Sequence, residues 1–92
     1  MRISNWHYVY VLLSEKDGKF YIGYTRDLHE RFRQHNAKEN FSTKGRTPFI
    51  MVYSEACLSL ADAQRRENYL KTTQGRRFIK LRLKEYLKLK NF

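Results

Sequence analysis

A β-hairpin near the N-terminus constrains this chain more than any other feature of its sequence. Two short segments, Tyr8–Leu13 and Phe20–Tyr24, are rich in aromatic and β-branched residues, as strands usually are. The dipeptide Asp17-Gly18 lies between them and favours a tight hairpin turn, because glycine adopts the positive φ that such turns require. The sequence therefore predicts two adjacent antiparallel strands that carry several tyrosines.

Helices and one further strand are predicted after the hairpin, which gives the order β-β-α-β-α-α. Their signals are apolar residues with a helical period and one more apolar, β-branched run. The predicted elements are a helix at 27–37 with Thr25 as its N-cap, a polar loop at 38–48, a strand at 49–57, a helix from the cap Ser59 to Lys71, a break at 72–75, and a helix at 76–88 that closes on Asn91 and Phe92. A chain of 92 residues is long enough for one small domain, which we expect to span 1–92.

The chain carries a formal charge of +10, and most of that charge lies in its second half. Residues 1–40 contain seven basic and five acidic residues, whereas residues 41–92 contain twelve basic and four acidic residues. Such an excess indicates a polyanionic partner, and nucleic acid is the first candidate. An anionic membrane surface would also attract this charge, but the sequence shows no basic amphipathic helix with an exposed apolar face.

Several other classes of protein are excluded by simple features. The single cysteine, Cys57, cannot form a disulfide framework within the chain. The longest apolar run, Tyr8–Leu13, is far shorter than a membrane span, and the first residues do not resemble a signal peptide. The three histidines lack the spacing of a zinc site. We therefore expect a soluble intracellular protein with no membrane partner.

Two side chains on the first predicted helix are candidates for phosphate chemistry. Arg31 and His35 are one helical turn apart and fall beside the apolar stripe formed by Leu28 and Phe32. A guanidinium offers a fixed fork of donors that matches phosphate oxygens, and an imidazole can carry a proton near neutral pH. A purely structural pair on a helix is the alternative. The hairpin tyrosines are equally open, since tyrosine also suits strands that only pack in a core.

Glu67 is the most informative single residue. The 3.6-residue period places it on the second helix between the apolar positions Leu60, Ala63 and Leu70, so its carboxylate faces the protein body. Burial of an unpaired carboxylate is costly, so Glu67 needs either a cation or a metal ion. An ion pair with Lys71, one turn along the helix, is the alternative to a metal site.

Taken in order, these positions resemble the GIY-YIG endonuclease superfamily over residues 7–83. The second signature of that superfamily is present as Tyr21-Ile22-Gly23. The first signature appears as Tyr8-Val9-Tyr10, with the usual eleven-residue step from Tyr10 to Tyr21. The other matching positions are Thr25, Leu28, Arg31, His35, Ala63, Glu67 and Lys71. The chain is most similar to small single-domain bacterial members, and this implies a cytoplasmic, nucleoid-associated protein.

The resemblance implies an α+β fold, with a three-stranded antiparallel sheet flanked by about three helices. It implies one Mg²⁺ or Mn²⁺ ion held by Glu67, with Arg31 on the scissile phosphate. Tyr10 would be the general base for the attacking water, Tyr21 would orient water or phosphate, and His35 would assist with the proton or the phosphate. For Tyr10 to ionise near neutral pH, a nearby cation would have to lower its pKa from the usual value of about 10.

Two positions depart from the pattern of the superfamily. Tyr8 replaces the glycine of the first signature, and we expect an altered backbone there. Ile79 occupies a position where an asparagine is common, and Asn68, Lys71 or Gln74 could substitute for it.

Basic residues of the second half are the predicted nucleic-acid surface. On the third helix they follow one another along one face, and others lie in the polar loop and at the end of the second helix. They are Lys44, Arg46, Lys71, Arg77, Lys80, Lys84 and Lys88. Contacts of this kind bind the phosphate backbone without reading its sequence.

Two functions of different classes follow from these features. The first is a metal-dependent endonuclease that hydrolyses DNA, and we expect it to select for a DNA structure and to act in repair or processing. The second is a non-catalytic basic protein that binds nucleic acid, DNA or RNA, on the same fold. The candidate catalytic residues favour the first, and the absent asparagine favours the second.

Overall fold

The computed structural model describes residues 5–90, which form one three-stranded sheet with helices on both of its faces. The elements are β1 (His7–Ser14), β2 (Phe20–Thr25), α1 (Leu28–Asn36), a 3-10 turn (Lys44–Arg46), β3 (Phe49–Cys57), α2 (Leu60–Leu70), α3 (Thr73–Arg82) and α4 (Lys84–Leu89). The α+β fold and the antiparallel sheet predicted from the sequence are confirmed. The described residues contain four α-helices, one more than expected.

The predicted hairpin forms the first two strands of the sheet. The strand order is β2-β1-β3, so β1 lies in the centre and is buried from Val9 to Ser14. Gly18 has φ 72° in the connecting turn, as the Asp-Gly signal predicts. β2 is an edge strand, which pairs with β1 on one side only.

Alternation along the strands divides the sheet into two apolar faces. On one face, Tyr10, Leu12 and Phe49 pack with side chains of α1, and we call this the α1 face. On the opposite face, which we call the α2 face, residues of β1 and β2 pack with α2 and α3. The buried members of the α2 face are Val9, Val11, Ile22, Ala63, Leu70 and Ile79.

The N-cap of α1 is Asp27, whereas the sequence had indicated Thr25. The Asp27 carboxylate accepts a hydrogen bond from the Glu30 amide at 3.1 Å. Thr25 instead accepts from the Asp27 amide at 3.0 Å and shapes the turn that precedes the helix. Two polar residues compete for one cap position, and the residue nearest the first turn fills it. The predicted cap of α2 is confirmed, since Ser59 accepts from the Asp62 amide.

The predicted third helix is wrong in its boundaries. The break between the second and third helices is at Lys71 and Thr72 and not at 72–75, because the Thr72 hydroxyl accepts from the Gly75 amide at 3.1 Å and caps α3. The helix is then interrupted at Leu83, whose φ of −104° and ψ of 20° lie outside helical values while its side chain packs on the α2 face. Asn91 and Phe92 lie outside the described residues.

Two smaller observations complete the fold. Leu60 was expected to mark the buried side of α2, but it is 44% exposed and only Ala63 and Leu70 are buried there. Within residues 5–90, no helix is both long enough and apolar enough to cross a membrane.

Candidate active site

Tyr10 and His35 form a buried hydrogen bond on the α1 face of the sheet. The Tyr10 hydroxyl and His35 Nε2 are 2.8 Å apart, and both residues are 0% exposed. Burial raises the pKa of Tyr10 to about 12, with the neighbouring Tyr21 adding to the rise and the Arg31 guanidinium opposing it. Burial and the charge of Arg31 lower the pKa of His35. A neutral phenol therefore faces a neutral imidazole.

The cation that Tyr10 would need in order to ionise near neutral pH does not bring its pKa below the usual value. Arg31 does act in that direction, but the loss of hydration around a fully buried phenol outweighs it. Tyr10 consequently keeps its proton near neutral pH, and its hydroxyl donates a hydrogen bond to His35 Nε2.

Thr43 holds the other side of the His35 ring. Its hydroxyl lies 2.8 Å from His35 Nδ1, and Thr43 is 0% exposed. The same hydroxyl reaches the Asn40 carbonyl at 3.5 Å, so it can accept from Nδ1 while it donates to Asn40. Nδ1 then carries the ring proton, and Nε2 is free to accept from Tyr10. The sequence did not single out Thr43, because a threonine in a polar loop has no periodicity that marks it as buried.

Tyr21 lies next to this pair on β2. Its ring centroid is 6.4 Å from that of Tyr10 and 5.0 Å from that of His35. Tyr21 is half-buried, whereas the other two rings are inaccessible. It is thus the aromatic residue of this cluster that a substrate can reach first.

Arg31 lies one turn before His35 on α1 and contributes an unneutralised charge. Among residues 5–90 it makes no ion pair, although its charge acts on both Tyr10 and His35. Its side chain borders a surface depression of about 280 Å³ that is also lined by the carboxylates of Asp27, which caps α1, and Glu30, which pairs with Arg33. A guanidinium in this state can bind a phosphate oxygen that enters the depression.

Glu67 reaches the same cluster from α2. Its side chain is 21% exposed and pairs with Lys71 Nζ at 3.1 Å, so the ion pair considered from the sequence is present. The carboxylate is also close enough to Tyr10 for its charge to contribute to the raised pKa of the phenol.

A divalent metal fits Glu67 only in a site that substrate completes. Within the part of the chain that the structure describes, no group of three or more His, Cys, Asp or Glu side chains could hold a metal ion. A closed site of the zinc type is therefore not formed by these residues. A single carboxylate that leaves the other positions to water and phosphate is how proteins often hold Mg²⁺.

The two departures from the superfamily pattern have different consequences. Tyr8 leaves the backbone regular, because its pairing with Thr25 continues the register of the hairpin, and the expected distortion is absent. Ile79 is 0% exposed in the core of the α2 face, so position 79 does not reach the site. Of the proposed substitutes, Asn68 and Gln74 are exposed, and Lys71 is the one that contacts Glu67.

The predicted nucleic-acid residues lie in different surroundings. Lys44 lies over the ring of Phe41 at 4.6 Å, Lys71 pairs with Glu67, and Arg77 is exposed on α3. Four of the seven line a single cavity. They are Arg46, Lys80, Lys84 and Lys88, and two residues that were not predicted, Lys19 and Arg76, line it as well.

Comparisons with known proteins agree with this arrangement. The sequence profile of the GIY-YIG catalytic domain matches residues 6–81. UPF0213 protein SH2523 of Staphylococcus haemolyticus is 38% identical over 76 residues, which cover 82% of this chain and 92% of that protein. UPF0213 protein VNG_2274C of Halobacterium salinarum is 41% identical over 66 residues, which cover 71% and 84%.

A solved structure is also similar. The solution NMR structure of UPF0213 protein BH0048 from Bacillus halodurans matches with a TM-score of 0.50 and 35% identity, and covers 80% of this chain and 81% of that one. The region matched by the profile contains both tyrosines of the cluster together with Arg31, His35 and Glu67.

Proposed function

This chain belongs to the GIY-YIG family of nuclease domains, and from that premise we propose that it is a divalent-metal-dependent endonuclease that hydrolyses phosphodiester bonds in DNA. The family implies a nucleic-acid substrate, and its nucleases generally depend on a divalent metal. The choice of DNA, of Mg²⁺ or Mn²⁺, and of a role in DNA repair or processing at the nucleoid is our proposal.

The observation that carries the proposal is the buried 2.8 Å hydrogen bond between Tyr10 and His35. A phenol with a raised pKa is a poor base alone, but it can pass a proton on. Tyr10 is fully buried in the free protein, so this role requires that substrate binding admits the attacking water beside Tyr21 to the Tyr10 hydroxyl. As Tyr10 Oη takes a proton from that water, its own proton moves to His35 Nε2. The other ring proton stays on Nδ1 and is donated to the Thr43 hydroxyl, which keeps the ring oriented. The pair acts as one general base, and His35 releases the extra proton to solvent afterwards.

Arg31 and Tyr21 position the phosphate. The hydroxide formed from water attacks phosphorus, and the bond to the leaving oxygen breaks as that oxygen gains a proton from solvent. Arg31 donates to a non-bridging oxygen and stabilises the negative charge that develops on it. Tyr21, which is half-buried beside the pair, orients the water or the phosphate through its hydroxyl.

Glu67 is the residue that would hold the metal, in exchange for its pairing with Lys71. A bound Mg²⁺ or Mn²⁺ supplies Lewis-acid stabilisation of the phosphate and of the leaving oxygen. Lys71, released from the carboxylate, is free to bind a neighbouring phosphate.

A non-catalytic protein that binds nucleic acid is the second candidate. The closed Glu67–Lys71 ion pair favours it, because the carboxylate is already neutralised without a metal. The buried Ile79 also favours it, because no asparagine is presented from that position. The unneutralised Arg31 and the Tyr10–His35 pair favour the enzyme, since a cation beside a pair of groups that can relay a proton is not needed for binding alone.

The two candidates are separated by incubation of the purified protein with labelled duplex, nicked, tailed, flapped and branched DNA and with matching RNA. Mg²⁺, Mn²⁺ and EDTA are compared, and products are resolved on denaturing gels. If the protein is an endonuclease, new DNA ends should appear with either metal and none should appear with EDTA. Salt-sensitive binding to every substrate with no cleavage of any would replace the enzyme with the binding protein.

A further inference from the structure

A basic cavity of about 790 Å³ lies at the hairpin end of the sheet, on the α2 face. Its floor is apolar and is formed by Leu13, Phe20 and Leu87. Its rim is formed by six cationic side chains: Lys19, Arg46, Arg76, Lys80, Lys84 and Lys88. Cavities of this size take small organic groups, and an apolar floor under a cationic rim suits a molecule with a flat ring and a phosphate.

Most of the rim charge is available for a ligand. Arg46 pairs with Asp17 at 2.6 Å, and Lys88 lies 3.9 Å from Glu85. The other four cations make no ion pair with residues 5–90. Lys80 and Lys84 are exposed, so their ammonium groups can reach phosphate oxygens outside the cavity mouth.

The cavity and the active-site cluster meet at one edge strand. Phe20 packs towards the α2 face and Tyr21 towards the α1 face, and the two residues are neighbours on β2. Consecutive Cα atoms are only about 3.8 Å apart. The cavity and the tyrosine cluster therefore lie close together on opposite faces of the sheet, at the start of β2. A ligand that occupies both must therefore bend around β2.

Double-stranded DNA does not satisfy that requirement. Its persistence length is about 150 base pairs, so it stays nearly straight over the width of one strand. Its bases are also paired and stacked, and they cannot reach an apolar floor. An unpaired strand bends freely, and its bases are free to stack on an aromatic side chain.

We propose that this cavity binds an unpaired nucleotide, with its base on Phe20 and its phosphates on the rim, and that the preferred substrate is DNA with a single-stranded segment beside the cleavage point. The inference rests on the proposed nuclease function and specifies the substrate of that site. The duplex next to the unpaired segment then lies on the α1 side, where Arg31 meets the scissile phosphate.

Binding in EDTA tests the cavity without any need for cleavage. Two DNAs with equal numbers of phosphates are compared, a blunt duplex and a duplex with a single-stranded tail that contains 2-aminopurine. We expect the tailed DNA to bind roughly tenfold more tightly, the usual worth of one stacked base, and the 2-aminopurine fluorescence to change on binding. The double variant Lys80→Gln/Lys84→Gln should reduce this preference to about one.

Arg77→Gln/Arg82→Gln is the matched control, because it removes the same charge from the same helix region outside the cavity. It should lower the affinity for both DNAs by one common factor and leave the preference for tailed DNA unchanged. Phe20→Leu keeps an apolar floor without an aromatic ring, and it should abolish the fluorescence change. If that variant fails to fold, the lysine variants still decide the question.

Equal affinity of the wild type for blunt and tailed DNA would overturn the inference. So would a preference that survives in the Lys80/Lys84 variant or disappears in the control. A protein that cuts blunt duplex without a preference for tails keeps the proposed function and refutes the cavity. A protein that prefers tailed DNA but cuts nothing supports the cavity and refutes the proposed nuclease function.

Discussion

The hydroxyl of Tyr10 lies directly against the backbone of Gly23 on the neighbouring strand. The two residues are cross-strand partners in the hairpin, and a Cβ atom at position 23 would overlap the end of the Tyr10 ring. The glycine of the second signature therefore makes room for the tyrosine of the first. In this position the Tyr10 hydroxyl lies 2.8 Å from His35 Nε2, where the proposed chemistry takes place.

Gly23→Ala should displace the Tyr10 ring and break its hydrogen bond to His35. Overpacking in a core usually costs about 1–3 kcal/mol, and we expect a loss of this size in the free energy of unfolding. Gly45→Ala is the control, since a Cβ there meets open space and should change little. Chemical denaturation measures both. Equal stability of the two variants would show that the contact does not constrain Tyr10.

Tyr10→Phe removes the donor of the proposed base and nearly preserves its shape. The cleavage rate should fall by about 10²–10⁴, the usual worth of a positioned general base. Tyr21→Phe should also slow cleavage but keep the wild-type dependence on pH, because the Tyr10–His35 pair remains. Single-turnover rates across pH measure this, with Tyr86→Phe as a control outside the site. If Tyr21→Phe alone abolishes the pH dependence, the roles of the two tyrosines must be exchanged.

Thr43→Val should free the His35 ring to turn or to change tautomer. The variant keeps the shape of the side chain and leaves Nδ1 without a partner, which costs about 1–3 kcal/mol for a buried polar group. Nitrogen chemical shifts of the imidazole should show loss of the Nδ1-protonated form, and the cleavage rate should fall with little change in KM. Thr47→Val in the same loop should change neither the nitrogen chemical shifts of His35 nor the cleavage rate. Unchanged nitrogen shifts in Thr43→Val would refute the positioning role.

His35 should make the stability depend on pH between neutral and mildly acidic conditions. Its pKa is lowered in the folded protein, so below the usual value of about 6.5 the unfolded chain binds more protons. The free energy of unfolding should therefore be constant above that pH and fall as the pH drops towards the lowered pKa. Urea denaturation between pH 7.5 and about 5 measures the slope, above the range where carboxyl groups titrate.

His35→Gln should remove this part of the slope, and His29→Gln, on an exposed helix position, should retain it. A slope that persists in His35→Gln would mean that another group is responsible.

The sequence predicted the parts of this protein that depend on local signals. The hairpin followed from strand residues around Asp17-Gly18, and this turn placed Tyr10 and Tyr21 on neighbouring strands. The helical period placed Arg31 and His35 on one side of α1. These features are fixed by neighbours in the chain, so periodicity and turn chemistry were sufficient to find them.

The features that were missed depend on contacts between distant segments. Thr43 becomes buried only because the loop after α1 folds back over His35. Lys19 and Arg76 line the basic cavity from the hairpin and from α3, which no sequence spacing connects. Ionisation of Tyr10 near neutral pH would require a cation that lowers its pKa, but burial, which is a tertiary property, raises that pKa instead.

The metal dependence of cleavage in Glu67→Gln tests the central claim most directly. Single-turnover cleavage of tailed DNA is measured for the wild type, for Glu67→Gln and for the control Glu85→Gln, which removes an exposed carboxylate that pairs with a lysine in α4. Each protein is titrated with Mn²⁺ and checked for its melting temperature and DNA affinity. We predict metal-dependent cleavage by the wild type and the control, and none by Glu67→Gln at unchanged stability and affinity. Glu67→Gln that is less stable but still cuts with the wild-type metal dependence would show that Glu67 serves only its ion pair with Lys71, and would contradict the account.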